Sequence, residues 1–305
     1  MSESTTTSTD ICANCGKDNA TNTCNKCKMI KYCNAACKKK HRHKHKKDCE
    51  EHVRLAAERA AELHDEKLFK QPPPQYEDCP ICFLRMPIFE TGHRYYGCCG
   101  KVLCCGCIHS VENTSTEVPL CPFCRTPAPV SPEEANKRTE KRIEKDDAYA
   151  FFNLGTNYDN GRLGLPKDSA KALELWHRGG ELGDAKAYHN IGCAYYNGNG
   201  VKRDGKKAEH YWELAAMLGH VDARYNLGAI EENKCNMDRA LKHYKISAGV
   251  GHDNSLKKIK ELFTVGHATK DDYVTALRAH QSYLNEIKSI PRDAAVAHHE
   301  YYKYY

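Results

Sequence analysis

The stretch AYHNIGCAYYNGNGVKRDGKKAEHYWELAAMLG, residues 187–219, decides the fold of the C-terminal half because its pattern recurs on both sides of it. The Asn-Ile-Gly at 190–192 has Asn-Leu-Gly counterparts at 153–155 and 226–228, at separations of 37 and 36 residues. Each unit continues with a basic residue and Ala, then Trp or Tyr, and closes on Gly. A fixed period in the mid-thirties with small and aromatic residues at matched offsets indicates stacked helical hairpins. A stack buries the apolar face that one hairpin leaves exposed.

Over roughly residues 146–290 this pattern is similar to the Sel1-like repeat, a relative of the tetratricopeptide repeat. Repeat one has insertions around 161–165, repeat three lacks the Gly-x-Gly-Val loop of 198–201, and a degenerate fourth pair is expected at 252–286. The resemblance implies an α-helical hairpin solenoid that binds proteins on its concave face. We place it at 131–290, starting at the helix-capping sequence Ser-Pro-Glu-Glu of 131–134. Residues 291–305 are expected to be a C-terminal tail. We expect the recurring Trp, Tyr and Gly residues to be packing residues.

The cysteines are confined almost entirely to the first half of the chain. Sixteen of the 18 lie between Cys12 and Cys124. No window approaches about 18 consecutive apolar residues, so no membrane span is predicted. The Ser/Thr-rich residues 1–11, expected to be a disordered tail, do not resemble a signal peptide. Clustered cysteine without a secretory context indicates metal, and we expect a zinc protein of the cytoplasm or nucleus.

The first cluster is spaced as metal ligands are. It reads Cys12-x2-Cys15, Cys24-x2-Cys27, Cys33-x3-Cys37 and His45-x3-Cys49. A Cys-x2-Cys turn places two thiolates about one tetrahedral edge apart around zinc. His45 and Cys49, four residues apart, share one face of a short helix. Because the segment has almost no apolar residues, metal must supply its folding energy.

Residues 12–49, with Tyr32 before Cys33 and a His-Lys-x2-Cys ending, resemble the MYND zinc finger. The resemblance implies two interleaved sites, one of Cys12, Cys15, Cys33 and Cys37 and the other of Cys24, Cys27, His45 and Cys49. His41, one turn earlier, is the alternative to His45. The resemblance also implies a peptide ligand, although Arg42 stands where the family usually has an aromatic residue.

Residues 50–75 are predicted to be a helical linker. The stretch EEHVRLAAERAAELHDEKLFK, residues 50–70, is rich in helix formers, but its apolar stripe is thin. We therefore expect a mostly solvated spacer of about 20 residues, roughly 30 Å long. The prolines at 72–74 end it because they supply no backbone donor. A coiled-coil seam on this stripe would cover under two heptads.

The second cluster has the long gap and paired cysteines of a different zinc module. Its pairs are Cys79-x2-Cys82, Cys98-Cys99, Cys104-x2-Cys107 and Cys121-x2-Cys124. This spacing, with the flanking Pro80, Ile81, Pro122 and Arg125, resembles a RING finger, which we place at 76–128. The resemblance implies cross-bracing: one zinc takes Cys79, Cys82, Cys104 and Cys107, and the other takes Cys121 and Cys124 with two ligands near Cys98. Lys101 stands where the usual pattern has His. The expected ligands are therefore Cys98 and Cys99, with His93 as the alternative and Cys105 as a spare. The whole chain should bind about four zinc ions.

A RING resemblance implies ubiquitin transfer without any catalytic residue. The domain holds a ubiquitin-conjugating enzyme charged with ubiquitin and positions its thioester. In the family, the residues that match Ile81 and Pro122 contact that enzyme, and the one that matches Arg125 hydrogen-bonds both partners, a role suited to a planar guanidinium. The predicted function is a RING-type ubiquitin ligase whose MYND finger and repeats recruit proteins. The alternative is a non-catalytic adaptor that only binds proteins.

The formal charge of +6 does not indicate a nucleic-acid-binding protein. Fifteen ligand thiolates and four Zn²⁺ ions together contribute −7, so the metal-loaded chain carries about −1. The basic residues form a local run at 38–47, beside the thiolates whose charge they offset. No aromatic platform for stacking bases accompanies this run. We expect protein partners and neither nucleic acid nor membrane; nuclear targeting by the run is the remaining alternative.

Overall fold

A computed structural model describes residues 10–112, 119–299 and 302–304; the expected tail lies outside these ranges except for residues 10 and 11. The described part contains twelve α-helices and four short strands, which confirms the predicted mainly α fold class. The strands are β1 Asn22–Thr23, β2 Lys31–Tyr32, β3 His93–Tyr96 and β4 Lys101–Cys104. The helices are α1 Ala35–Leu68, α2 Cys105–Glu112, α3 Pro132–Ile143, α4 Ala148–Asn160, α5 Ser169–Glu181, α6 Ala185–Asn197, α7 Gly205–Met217, α8 Val221–Asn233, α9 Met237–Ala248, α10 Asp253–Thr264, α11 Lys270–Ile287 and α12 Ile290–His298. In these ranges no helix has the length and apolar character needed to cross a lipid bilayer.

The chain divides into two compact units, with the boundary between Lys67 and Leu68. In the first unit, β1 and β2 pair antiparallel and α1 follows them. Sequence analysis separates a short ligand-bearing helix from a spacer helix, but the structure has one helix of 34 residues. It is continuous because residues 35–68 contain neither Gly nor Pro and are rich in Lys, Ala and Glu.

The repeats are antiparallel helix pairs, α4 with α5, α6 with α7, α8 with α9 and α10 with α11. The recurring spacing of Gly and Trp in the repeats has a steric reason. A Cβ added to Gly192 would meet Trp212 Cδ1 at 2.4 Å, and one added to Gly155 would meet Trp176 Cδ1 at 2.7 Å. Glycine therefore lets an indole lie directly on the facing helix, which is why Gly and Trp recur together.

Polar residues at the repeat boundaries are helix caps. The recurring Asp168 and Asp204 accept hydrogen bonds from the backbone at the start of α5 and α7. Thr269 and Asp272 form a capping box at the start of α11. At α3, Ser131 caps as predicted, but the carboxylate of Glu134 accepts from the backbone N–H of Val130 rather than closing a capping box.

The linker packs against the repeats from Leu68 onward, so the solvated spacer ends there. Leu68 is 1% exposed and belongs to the apolar cluster around Trp212. The Phe69 ring lies 4.7 Å from the ring of His243. The linker backbone also approaches the repeats closely, because a Cβ added to Gly219 would lie 2.3 Å from the carbonyl oxygen of Pro73. Leu68 and Phe69 thus serve as core residues of the second unit.

The expected C-terminal tail instead contains a helix, and the described residues 302–304 beyond it are packed against the cysteine-rich module. Residues 290–298 form α12, because Pro291 suits the first helical turn. Tyr302 and Tyr304 are 9% and 0% exposed and join Leu103 and Ile108 in one apolar cluster. α12 approaches α2 so closely that a Cβ on Gly106 would lie 2.8 Å from a backbone nitrogen of α12. The C-terminal segment therefore completes the core of the second cysteine-rich module.

Candidate metal centres

Four Cys-x2-Cys turns of the chain share one backbone geometry. In each, the residue after the second cysteine donates its N–H to the carbonyl of the first; these bonds are Gly16 to Cys12 at 2.8 Å, Lys28 to Cys24 at 3.0 Å, Phe83 to Cys79 at 2.8 Å and Arg125 to Cys121 at 3.0 Å. All four donor residues have positive φ, from 56° to 71°. The turn directs both sulfurs of a pair to one side. At Phe83 and Arg125 a bulky residue adopts a backbone conformation that favours glycine.

The first unit brings two ligand sets together. Cys12, Cys15, Cys33 and Cys37 form the first, with the Cys15 and Cys33 sulfurs 3.6 Å apart and Cys33 and Cys37 3.5 Å apart. Cys24, Cys27, His45 and Cys49 form the second, with Cys24 and Cys49 sulfurs 3.6 Å apart and His45 Nε2 3.3 Å from Cys27 Sγ. His41, the alternative ligand, instead lies within hydrogen-bond distance of the Tyr32 hydroxyl, 3.2 Å from Nδ1.

The second unit brings two more sets together. One is Cys79, Cys82, Cys104 and Cys107, in which the Cys82 and Cys104 sulfurs are 3.7 Å apart. The other is Cys98, Cys99, Cys121 and Cys124, in which Cys124 lies 3.4 Å from Cys98 and Cys99 lies 3.9 Å from Cys121. The sets interleave along the chain, and the β3–β4 hairpin carries ligands of both: Cys98 and Cys99 lie in its turn, and Cys104 ends β4.

Two residues that sequence analysis leaves open lie outside these sets. His93 begins β3, is buried, and has its ring 4.4 Å from the Tyr76 ring. Burial lowers the pKa of His93 to about 3, so the imidazole is neutral at physiological pH. Cys105 is buried in the apolar cluster with Leu103, and burial raises the pKa of its thiol to about 12. Cys105 is therefore a packing residue.

The four sets fit zinc in donor type and in size. Within each set all ligand atoms lie within 4.8 Å of one another, and every cysteine is a free thiol. A tetrahedron with Zn–S bonds of about 2.3 Å has edges of about 3.8 Å, close to the sulfur separations above. A thiol hydrogen bond with Cys37 is the main cause that raises the pKa of Cys33 to about 12, so these crowded thiols do not all ionise without a cation. The chain therefore offers four zinc sites, and zinc supplies the charge that holds each set together.

A buried arginine lies behind the third set, and sequence analysis missed it. Arg292 of α12 is fully buried and donates from Nη1 to the carbonyls of Arg85 at 2.9 Å and Ile287 at 2.6 Å. Burial by itself would lower the pKa of Arg292, but the charge and hydrogen bonding of Cys104, together with the charges of Cys82 and Cys105, outweigh burial and raise the pKa. A cation near a four-thiolate site offsets part of its excess negative charge. No local pattern marks this residue, because its contacts are distant in sequence.

The residues expected to contact a conjugating enzyme lie in the turns of the third and fourth sets. Ile81 is 37% exposed, Pro122 is half-buried and Arg125 is exposed. Sequence analysis missed Phe83 and Phe123, which are 77% and 45% exposed. Both belong to or directly follow a Cys-x2-Cys turn, where the metal rather than an apolar core fixes the backbone. In the sequence, their position in or directly after a Cys-x2-Cys turn is the signal that such apolar residues are exposed.

Known proteins match two parts of the chain. The MYND finger family matches residues 12–49, and the Sel1 repeat family matches residues 148–184 and 185–220. Residues 76–128 lie outside both matches. Residues 12–49 are therefore a MYND finger, and residues 148–220 contain two Sel1 repeats.

Similar solved structures cover about half of the chain. A Sel1 repeat protein from Oxalobacter formigenes is 30% identical, with a TM-score of 0.44 over 50% of this chain and 64% of that one. A protective antigen present in uropathogenic Escherichia coli strains, displaying an SLR fold, is 25% identical, with a TM-score of 0.43 over 52% of this chain and 35% of that one. The chain thus spans less than two thirds of either protein. No curated protein sequence matches it.

Proposed function

We propose that the chain is a RING-type ubiquitin ligase in which residues 76–128 hold a charged ubiquitin-conjugating enzyme. The MYND finger and the Sel1 repeats recruit substrates or other protein partners. The observation that carries the proposal is the interleaving of the two four-cysteine sets, since it brings paired turns with exposed apolar side chains into one module.

The exposed side chains of these turns are suited to binding a protein. The Phe83 side chain is 77% exposed, so it buries little apolar surface within the chain, and its backbone has a positive φ. Large exposed apolar groups and backbone strain both concentrate at interaction sites. Together with Ile81 and Phe123 it supplies apolar contacts, and Arg125 supplies guanidinium donors free to reach a partner's carbonyl groups.

The core of the module leaves these turns uncovered. α2 turns Gly106 and Ile108 toward α12, and the Tyr302 hydroxyl donates to the carboxylate of Glu112 at 2.5 Å. The C-terminal segment therefore covers one face of α2. The turns that carry Ile81 and Phe123 keep their side chains in solvent. A bound conjugating enzyme and the C-terminal segment then use different surfaces.

The test is discharge of ubiquitin from a panel of charged conjugating enzymes to free lysine, with the zinc-loaded full chain added. We expect wild type to accelerate discharge with at least one enzyme, and Ile81→Ala and Arg125→Ala each to reduce that acceleration by about tenfold or more. Val265→Ala, an exposed apolar residue of the repeat region at 67% exposure, is the matched control and should leave it unchanged. A wild-type chain without effect on every enzyme of the panel would contradict the ligase proposal and favour the adaptor.

A further inference from the structure

A cavity of about 340 Å³ lies in the second unit between the linker, the segment before β3 and the first turns of α8. Pro73, Met86 and Val250 are among the apolar residues that line it. Pockets for small molecules begin at about 300 Å³, so the volume suffices for a compact ligand. None of the sixteen metal ligands lines the cavity, which makes it a separate site.

Arg224 of α8 lines this cavity and is 1% exposed. Its Nη2 donates to the carbonyl of Ala216 at 3.2 Å, whereas Nε and Nη1 have no hydrogen-bond partner among the described residues. Burial lowers the pKa of Arg224 to about 10, which leaves the guanidinium charged at neutral pH. A buried cation without a counter-charge is costly, so an anion that reaches it gains an unusually strong interaction.

The other charged residues around the cavity do not neutralise Arg224. Arg85 already pairs with Glu286, at 2.6 Å from Nη1 to Oε2. Asp78 also lines the cavity, but it is exposed to solvent, and no ion pair joins it to Arg224 among the described residues. The positive end of the α8 dipole adds to the potential near Arg224. Arg224 is therefore a buried positive charge without an ion pair among the described residues, and the walls beside it are largely apolar.

We propose that this cavity binds a small organic carboxylate, with the carboxylate at Arg224 and an apolar body between the linker prolines, Met86 and Val250. The single positive charge of Arg224 and the apolar walls favour a ligand with one negative charge and an apolar body over phosphate. The exposed Pro73 and Pro74 form the rim through which it enters. The Ile88 N–H donates to the Tyr283 hydroxyl at 3.0 Å, and both residues line the cavity. Because Met86 precedes β3 and Val250 lies in the repeat region, a bound ligand contacts both parts and raises the thermal stability of the second unit.

The test uses the zinc-loaded full chain titrated with sodium benzoate, sodium hexanoate or inorganic phosphate at constant ionic strength. Calorimetry should give saturable binding of a carboxylate, and Arg224→Met should weaken it by about tenfold or more through loss of a charge-assisted hydrogen bond. Arg278→Met, at an exposed arginine of α11, is the matched control and should bind as wild type does. Arg224→Met should fold, because it replaces an unpaired buried cation with an apolar side chain.

A second measurement needs no variant. Met86 is 3% exposed and lines the cavity, whereas Met29 is 68% exposed and lies in the first unit. With methyl-labelled methionine, carboxylate addition should therefore shift the Met86 resonance and leave the Met29 resonance unchanged. The proposal is overturned by any of three results: no saturable carboxylate binding up to about 10 mM, binding that Arg224→Met leaves intact, or saturable binding of phosphate alone. An unshifted Met86 resonance at saturation would place the ligand elsewhere and also overturn it.

Discussion

Replacing Leu68 by Ala tests whether the linker is part of the repeat core. Leu68 is 1% exposed, and its cluster includes Ala215, Ala216 and Leu227. Leu→Ala changes in cores cost about 2–5 kcal/mol, more where the surroundings do not collapse into the cavity. Because two of the neighbours are alanines fixed on α7, we expect a loss of about 3 kcal/mol in the free energy of unfolding of the second unit.

The matched control lies in the same unit. Leu277 of α11 is 42% exposed, so Leu277→Ala should change the free energy of unfolding by no more than about 0.5 kcal/mol. Urea unfolding followed by tryptophan fluorescence reports on the second unit alone, since the two tryptophans of the chain are Trp176 and Trp212. The comparison is made at saturating zinc and with equal slopes against urea. Equal, small effects of both substitutions would mean that Leu68 belongs to a solvated spacer, and would refute the packing described above.

Three further predictions concern the repeats, the metal and the spare thiols. Gly192→Ala should destabilise the repeats by about 1–3 kcal/mol in the same urea assay because the new methyl meets Trp212, whereas Gly205→Ala, with open space around it, should not; equal effects would contradict the close helix approach. Elemental analysis of the purified chain should give four zinc ions, and a zinc content near two would mean that one cysteine-rich module is misassigned. Chelation of the zinc should unfold the MYND finger, while the tryptophan signal of the repeats persists. In the zinc-loaded chain, alkylation followed by mass spectrometry should modify the exposed Cys235 well before the buried Cys105, whose pKa burial raises to about 12, and the reverse order would contradict the packing of α2.

Patterns that are local in the chain are those that sequence analysis predicts well. The Gly192–Trp212 contact joins residues of adjacent helices, so its geometry repeats with the period of the hairpins. Zinc-ligand spacing is equally local, since each Cys-x2-Cys turn is set by a backbone hydrogen bond over four residues. Both the fold class and the zinc content follow from such patterns.

Contacts between distant parts of the chain leave no such pattern. The Thr91 hydroxyl donates to the carbonyl of Lys303, and Arg85 pairs with Glu286, across more than 200 residues in each case. Arginine is usually exposed, but Arg292 is buried because α12 packs against the cysteine-rich module. The helical C-terminus and the packed linker were therefore beyond sequence analysis.

We propose that residues 76–128 form one cross-braced module with two metals. Cadmium-113 replaces zinc at thiolate sites, and its scalar couplings to cysteine β-protons identify the ligands of each ion directly in the full chain. We expect Cys79 and Cys104 to couple to one cadmium and Cys98 and Cys121 to couple to another. Coupling of Cys79 and Cys98 to the same ion would show sequential sites instead, and would contradict both the cross-brace and the ligase proposal that depends on it.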